Sequence, residues 1–328
     1  GGVVDPMPRK KINRILFHHH SLHQKTRHEN ETIALDHLDE LRDDFALRGR
    51  CEMFRVDLKS MAAAHQLHQG TNLRGHLVWA KMRHFQRLLT IRNVQAPEED
   101  EDILQFFREH HDPTIYMERH AMRRGEFRKL ISPLVRSGHL VQDYRGGFKT
   151  VEPLTTSDLW EIKRDFLRDL VKHYPVITLK QVERLAGSPF SAEEISDVMR
   201  EFEEDDTLIK GFLVDDMHDV CWGRHDLLND SDALTKTRDL VIPPSDPLIH
   251  YYGSLLRERF GYGSAYLVFH REEPIAAFKA NTRAGVIHIT DFVGDSDLEK
   301  EALRVMKEFA WEHDMPLKGK LYERLRSR

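Results

Sequence analysis

At 328 residues, with 40% apolar and 31% charged side chains, the chain has the composition of a globular protein with room for two to four domains. No apolar run approaches bilayer length, and the N-terminus GGVVDPMPRKK lacks the apolar core of a secretory signal, so a cytoplasmic protein without a membrane partner is expected. A net charge of −5 excludes a surface coated in positive charge, and the distant Cys51 and Cys221 imply neither a disulfide framework nor a cysteine-ligated metal site.

Residues 1–95 come first in chain order. Arg9, Lys10 and Lys11 lead into INRILF, which is expected to be a strand. Between Glu31 and Leu47 the residues Ile33, Leu35, Leu38, Leu41, Phe45 and Leu47 recur near helical spacing, and CEMFRVD then alternates like a strand. KSMAAAHQLHQ and NLRGHLVWAKMRHFQRLL are expected helices. The whole predicts a diverged winged helix with an N-terminal extension. Its recognition helix, Asn72 to Arg87, carries Arg74, Lys81, Arg83 and Arg87 with no acid, a local +4.

The Pro-and-acid linker APEEDED opens a second unit over 96–153. Helix, short extended segment, helix, longer helix and hairpin follow in the order of a winged helix-turn-helix. That fold presents its third helix to a DNA major groove. The third helix holds Arg123, Arg124, Arg128, Lys129 and Arg136 against Glu126, again +4. Pro133 is expected to kink this helix or delay its start. The turn Arg145-Gly146-Gly147 forms a wing tip, from which Arg145 and Lys149 reach toward phosphate.

The same element order repeats over 154–235, but with the opposite charge. Ser191 to Glu204 holds six acids against Arg200 alone, a local −5. One copy can approach phosphate and the other is repelled by it. Thr178 and Ser191 are expected helix caps, and Thr178 with Gln181 fits a capping box. Residues 236–328 then predict a strand, a Pro turn, a helix ending at Gly261, a hairpin, a third strand and an amphipathic helix from Leu298 to Glu312. The expected fold class is α+β: tandem winged-helix domains followed by a small β-rich C-terminal domain.

Other residues suggest chemistry less strongly. His18, His19, His20 and His23 could ligate a metal, but consecutive histidines in a strand alternate faces, so no metal site is expected. Asp246, Asp291, Asp295 and Asp297 could each activate water, although helix capping explains Asp246, Asp295 and Asp297 as well. Trp79, Trp160, Trp222 and Trp311 are expected in the core. There is no Walker-type phosphate loop, and no cofactor is expected.

The phrases DPL…LRERFGYG, REEPIAAFKANTRAGVIHITDF and TLIKGFLVDDMHDVCW, following tandem winged helices, resemble AlkZ/YcaQ-type DNA glycosylases. They resemble equally the C-terminal region of Lhr-type (large helicase-related) proteins. The resemblance covers roughly residues 60–315. It implies a DNA repair or processing protein that binds double-stranded or forked DNA, acts as a monomer at the nucleoid and, in the Lhr case, is joined to a helicase motor. The glycosylases carry Gln-x-Gln or Gln-x-Asp in the first winged helix. The closest string here, Gln66-Leu-His-Gln69, is one residue longer, and Gln142-Asp143 stands in the middle wing. Catalysis, if present, is therefore assigned to Gln66 or Gln69. Three classes stay open: a DNA-holding module, an active glycosylase, and a transcriptional regulator that would need a dimer and a palindromic site.

Overall fold

A computed structural model describes residues 5–24, 40–50, 57–155 and 158–328. The chain begins with α1 (Arg9–His19), α2 (Asp44–Arg50), α3 (Leu58–His65), β1 (Leu67–Thr71), β2 (Leu77–Lys81) and α4 (Met82–Arg92). INRILF is thus helical rather than extended. Ile12 and Ile15 are buried in one core and Leu16 and Phe17 in another, and the i, i+3, i+4 set Ile12, Ile15 and Leu16 is a grouping that period-two alternation would split. CEMFRV and most of the helix expected over 31–47 lie outside the described residues.

The helix expected from Asn72 to Arg87 is a second correction. Its first half is the turn and return strand of a β1–β2 hairpin. Asn72 Oδ1 accepts the N–H groups of Arg74 at 3.0 Å and His76 at 2.9 Å, and Gly75 has φ +82. An Asx turn closed by a left-handed glycine outcompetes the helix. α3 ends at His65, because Gln66 caps it with φ 54. Gln66 and Gln69 therefore do not share a helix.

The middle unit runs α5 (Glu101–Glu109), α6 (Pro113–Arg119), α7 (Arg124–Arg136), β3 (Leu140–Gln142) and β4 (Phe148–Thr150). Pro133 lies inside α7 without ending it. Both Pro133 and Lys129, whose carbonyl loses its partner, are on the exposed side, where water can replace the missing bond. Ile103, Leu104, Phe107, Tyr116, Phe127, Ile131, Leu134, Leu140 and Phe148 give this unit its own core.

The next unit holds α8 (Leu159–Val171), β5 (Val176–Thr178), α9 (Leu179–Ala186), α10 (Ala192–Glu204), β6 (Leu208–Gly211), β7 (Cys221–Arg224) and α11 (His225–Asn229). The capping box at Thr178 forms, and Ser191 Oγ accepts from the Glu194 N–H. The C-terminal region contains β8 (Leu240–Ile242), α12 (Leu248–Tyr251), α13 (Gly253–Leu255), a π-helical turn Leu256–Phe260, β9 (Tyr266–His270), β10 (Glu273–Arg283), β11 (Val286–Gly294), α14 (Glu299–Glu312), β12 (Leu317–Lys318) and α15 (Lys320–Arg326). Five strands in the order β12-β11-β10-β9-β8 form its sheet: the leading strand joins the hairpin and third strand of the expected β-β-β-α tail, and β12 is an edge strand that was not expected. α14 covers this sheet with Leu303, Met306 and Phe309, whereas Trp311 stands 69% exposed on its outer side and is not core.

Two features position the candidate site. The largest core joins Phe17, Phe85, Leu88, Val141, Phe202 and Phe269, drawn from every segment of the chain. A four-stranded sheet, β2-β1-β3-β4, couples the first segment to the middle unit, with Gln69 directly opposite Gln142. Among the described residues no helix is long and apolar enough to cross a membrane.

Candidate nucleic-acid interface

α7 forms because Phe127, Ile131 and Leu134 repeat at i, i+4, i+7 and face the middle core. Glu126 accepts the Arg123 N–H at 3.0 Å and holds the first turn. The remaining faces carry Arg124, Arg128, Lys129 and Arg136, and these side chains, with Arg123, are exposed. None of the five forms an ion pair with a described residue. A cluster of unneutralised guanidinium and ammonium groups on one helix can engage phosphate oxygens directly.

The wing beside α7 is held by Asp143. Its Oδ1 accepts the N–H groups of Arg145 at 2.9 Å and Gly147 at 2.8 Å, while the Asp143 N–H donates to Gly147 O at 2.8 Å. A Cβ on Gly147 would stand 2.8 Å from Asp143 Oδ2 and 2.9 Å from the His111 carbonyl, so the position needs glycine. Arg145 is exposed at the tip, with its guanidinium 5.3 Å from the Tyr144 ring centre. Lys149 is half-buried on β4 near His68. Burial pushes His68 below its ordinary pKa, and the Lys149 charge adds to the effect.

The cations expected in the first segment divide. Lys81 and Arg83 are exposed. Arg87 pairs with Asp169 at 2.7 Å and lies 5.2 Å over the Phe166 ring, because α4 packs against α8. Arg74 reaches Glu40 at 3.9 Å and the Leu185 carbonyl at 3.5 Å. Arg74 and Arg87 thus fasten the first segment to the third, while the helix presented to solvent is α7.

Glu40 is a polar anchor that sequence reasoning missed. It accepts from Asn72 Nδ2 at 2.9 Å and pairs with His84 Nε2 at 2.9 Å. Burial alone would raise its pKa, but the His84 hydrogen bond and charge, Arg74 and Asn72 outweigh that and hold it at about 2. A cavity of about 80 Å³ lies here, lined by Glu40, Arg74, His84, Arg87, Asp169 and His173 among others. No local motif could have revealed it, since its members come from distant parts of the chain.

The β1 strand alternates sides. Leu67, Gln69 and Thr71 face one way, with Trp79 from β2 and Gln142 from β3 as cross-strand neighbours. Leu67 and Trp79 enter a core with Leu41, Leu47, Leu58 and Met61, and Leu140 and Phe148 enter the middle core. Gln69 and Gln142 are half-buried where these cores meet. Gln142 Nε2 donates to the Gly146 carbonyl at 3.2 Å. Gln66 is exposed at the C-terminus of α3, and the position two after Gln69 is Thr71, neither amide nor carboxylate.

The solved structures include one with this architecture over its full length. The chain is similar to Streptomyces sahachiroi DNA glycosylase AlkZ, with 11% identity, a TM-score of 0.65, and coverage of 96% of this chain and 100% of that one. The likeness is one of fold. No family model matches the chain, and no curated protein matches it. The shared fold is α+β, consistent with helix-turn-helix units followed by a β-rich C-terminal region.

The other candidates find structural partners. Asp246 is buried and pairs with Arg50 through both oxygens, at 2.8 and 3.0 Å, and Asp295 pairs with Arg259 at 3.1 Å. Asp291, on β11, and Asp297, in the turn before α14, are exposed. The histidine run belongs to α1 and its C-terminus. His18 stacks on His23 at 4.0 Å, and His20 Nε2 bonds the His173 carbonyl at 2.8 Å. Among the described residues no group of three or more His, Cys, Asp or Glu is placed to hold a metal ion.

Proposed function

We propose that the protein binds duplex or forked DNA in repair or processing, with α7 in the major groove and the Arg145 wing against the neighbouring backbone. One observation carries this reading: the exposed cations of α7, unneutralised by described residues, in a chain of net charge −5. A net negative charge gives a polyanion no general attraction to the protein, so binding has to come from a localised basic patch such as this one. Lys81 and Lys149, on the adjoining sheet, and Arg83, in the first turn of α4, extend the contact. The protein works as a monomer, because units joined in one chain can follow a duplex without a two-fold axis. This makes a transcriptional regulator the least favoured class. A helicase motor in the same polypeptide, as in Lhr-type proteins, and a location at the nucleoid belong to the same reading.

The test replaces Arg123, Arg124, Arg128 and Lys129 with Ala and measures binding of an arbitrary duplex across a salt series. Affinity is expected to fall for every sequence, with the log–log salt slope shallower by roughly 0.9 for each lost phosphate contact. An unchanged slope would remove α7 from the interface.

A second reading, base excision, is favoured by the full-length likeness in fold to a protein described as a DNA glycosylase. Hydrolysis needs a group that positions water at the anomeric carbon of an extruded nucleotide. Gln69 is the better placed of the two candidate amides, since Gln66 points from an exposed helix end. Duplexes containing uracil, an alkylated purine or an interstrand crosslink, treated with alkali after incubation, are expected to show weak or no cleavage. Any cleavage should be abolished by Gln69→Ala or Gln66→Ala, and robust cleavage by both variants would move the search to the C-terminal aspartates.

A further inference from the structure

We infer that Gln69 and Gln142 act together as a single site that takes the hydrogen-bonding edge of an unpaired nucleobase. The inference rests on the DNA-binding reading above and deepens it. The two residues are direct partners across β1 and β3, so their Cβ atoms are about 5 Å apart and their side chains project to the same face. On that face the neighbouring positions feed two separate apolar cores, which leaves the amides in the seam between them. α3 packs against β1 from one core and α7 reaches β1 from the other, so the helix that carries the free cations borders the seam. Tyr144, from the wing, packs against the α3 side.

The chemistry of two adjacent amides is specific. Each offers N–H donors and a carbonyl acceptor, the complement of a Watson–Crick edge such as the N1 acceptor and 2-amino donor of an unpaired 2-aminopurine. Gln142 commits one N–H to the Gly146 carbonyl, which fixes its amide orientation. Gln69 bonds no described side chain or carbonyl and is only half-buried, so its full capacity is available. A covered seam would favour apolar residues, because amides with unused capacity cost free energy once desolvated. A paired base cannot offer its edge here, and one already unpaired or mispaired is extruded most readily.

The experiment compares two duplexes that differ at one position, carrying 2-aminopurine opposite either thymine or an abasic-site analogue. The full chain is expected to bind the unpaired duplex about tenfold more tightly and to raise 2-aminopurine fluorescence, consistent with one bidentate amide contact. Gln142→Leu and Gln69→Leu should each reduce that preference to within about twofold, leaving affinity for the paired duplex and its salt slope unchanged. The double variant should lose little more. Gln142→Asn and Gln69→Asn, which keep the polarity but shorten the reach, should behave alike and serve if a leucine variant melts early. The inference is overturned if the unaltered protein shows no preference, if the preference survives both substitutions, or if both duplexes weaken together. The α7 charge variants test DNA binding itself, so these failures would leave that reading standing.

Discussion

Glu40 and His250 are held far from their ordinary ionisation by opposite means. Glu40 is buried yet ionised, because His84, Arg74 and Asn72 favour the carboxylate. His250 is held neutral, at about 3, first by burial and then by the charges of Arg74, His76, Arg42 and Arg184. Both shifts are downward, so in both cases the unfolded chain binds the proton more readily than the folded one. Stability from His250 is present above about pH 6.5 and lost as pH falls toward 3, and stability from Glu40 is present above about pH 4.3 and lost toward 2. Buried His20, lowered by burial and by Arg50, acts in the same direction as His250. The midpoint of thermal unfolding should therefore decline below about pH 6.5 and more steeply below about pH 4.5. In His250→Gln the decline between pH 7 and 5 should be shallower. Equal slopes in variant and parent would show that this histidine does not titrate with folding.

At the scale of elements, α7 and α10 occupy equivalent places in their units but meet different surroundings. α10 directs part of its negative charge inward: Glu194 pairs with Lys163 at 2.6 Å, Glu201 stands 3.9 Å from Arg164, and Glu203 accepts from Trp222 Nε1 at 2.5 Å. Glu193 and Asp197 are not needed for that docking. Charge reversal at Glu193 and Asp197 should leave duplex affinity unchanged or raise it, by up to about 1 kcal/mol if the reversed charges lie within a Debye length of DNA. A clear loss of affinity in folded protein would place α10 against the DNA. The contrast between α7 and α10 was legible in the sequence because both helices carry regular apolar spacing and recognisable starts. The first segment was less legible. Its basic residues matched a helical pattern, whereas Asn72 and Gly75 encoded a turn with only two positions. The expected Arg74–Arg87 surface was then divided by ion pairs to Glu40 and Asp169, whose positions no spacing reveals. Gln142 was visible as a residue, but its place opposite Gln69 depends on strand pairing between distant segments.

On the scale of the whole molecule, the middle unit differs from the rest in how it is held. Segments before and after it merge into the largest core, while most of its own apolar residues form a separate one. It joins the remainder through the β1–β3 pairing, the packing of α7 on β1, Tyr144 against the α3 core, the His139–Val94 hydrogen bond, and Val141 and Val151, which belong to the shared core. A unit with its own core and a small attachment can open without unfolding its neighbours. Phe107 is fully buried and touches the rings of Phe106, Tyr116, Phe127 and Phe148, with ring centres 5.1 to 6.3 Å apart. Phe107→Ala should cost roughly 3–5 kcal/mol, most of it confined to residues 101–151. Phe269, equally buried, belongs to the shared core, and Phe269→Ala should destabilise the chain more uniformly. Amide hydrogen exchange separates the cases: in Phe107→Ala, protection should drop in α5, α7 and β4 while α10 and β9 keep theirs. Duplex binding should weaken in step with the population of the opened middle unit. Loss of protection spread evenly over all units would mean that the β1–β3 pairing makes the molecule a single cooperative body. Opening of the middle unit would then carry the Gln69–Gln142 seam and the whole fold with it.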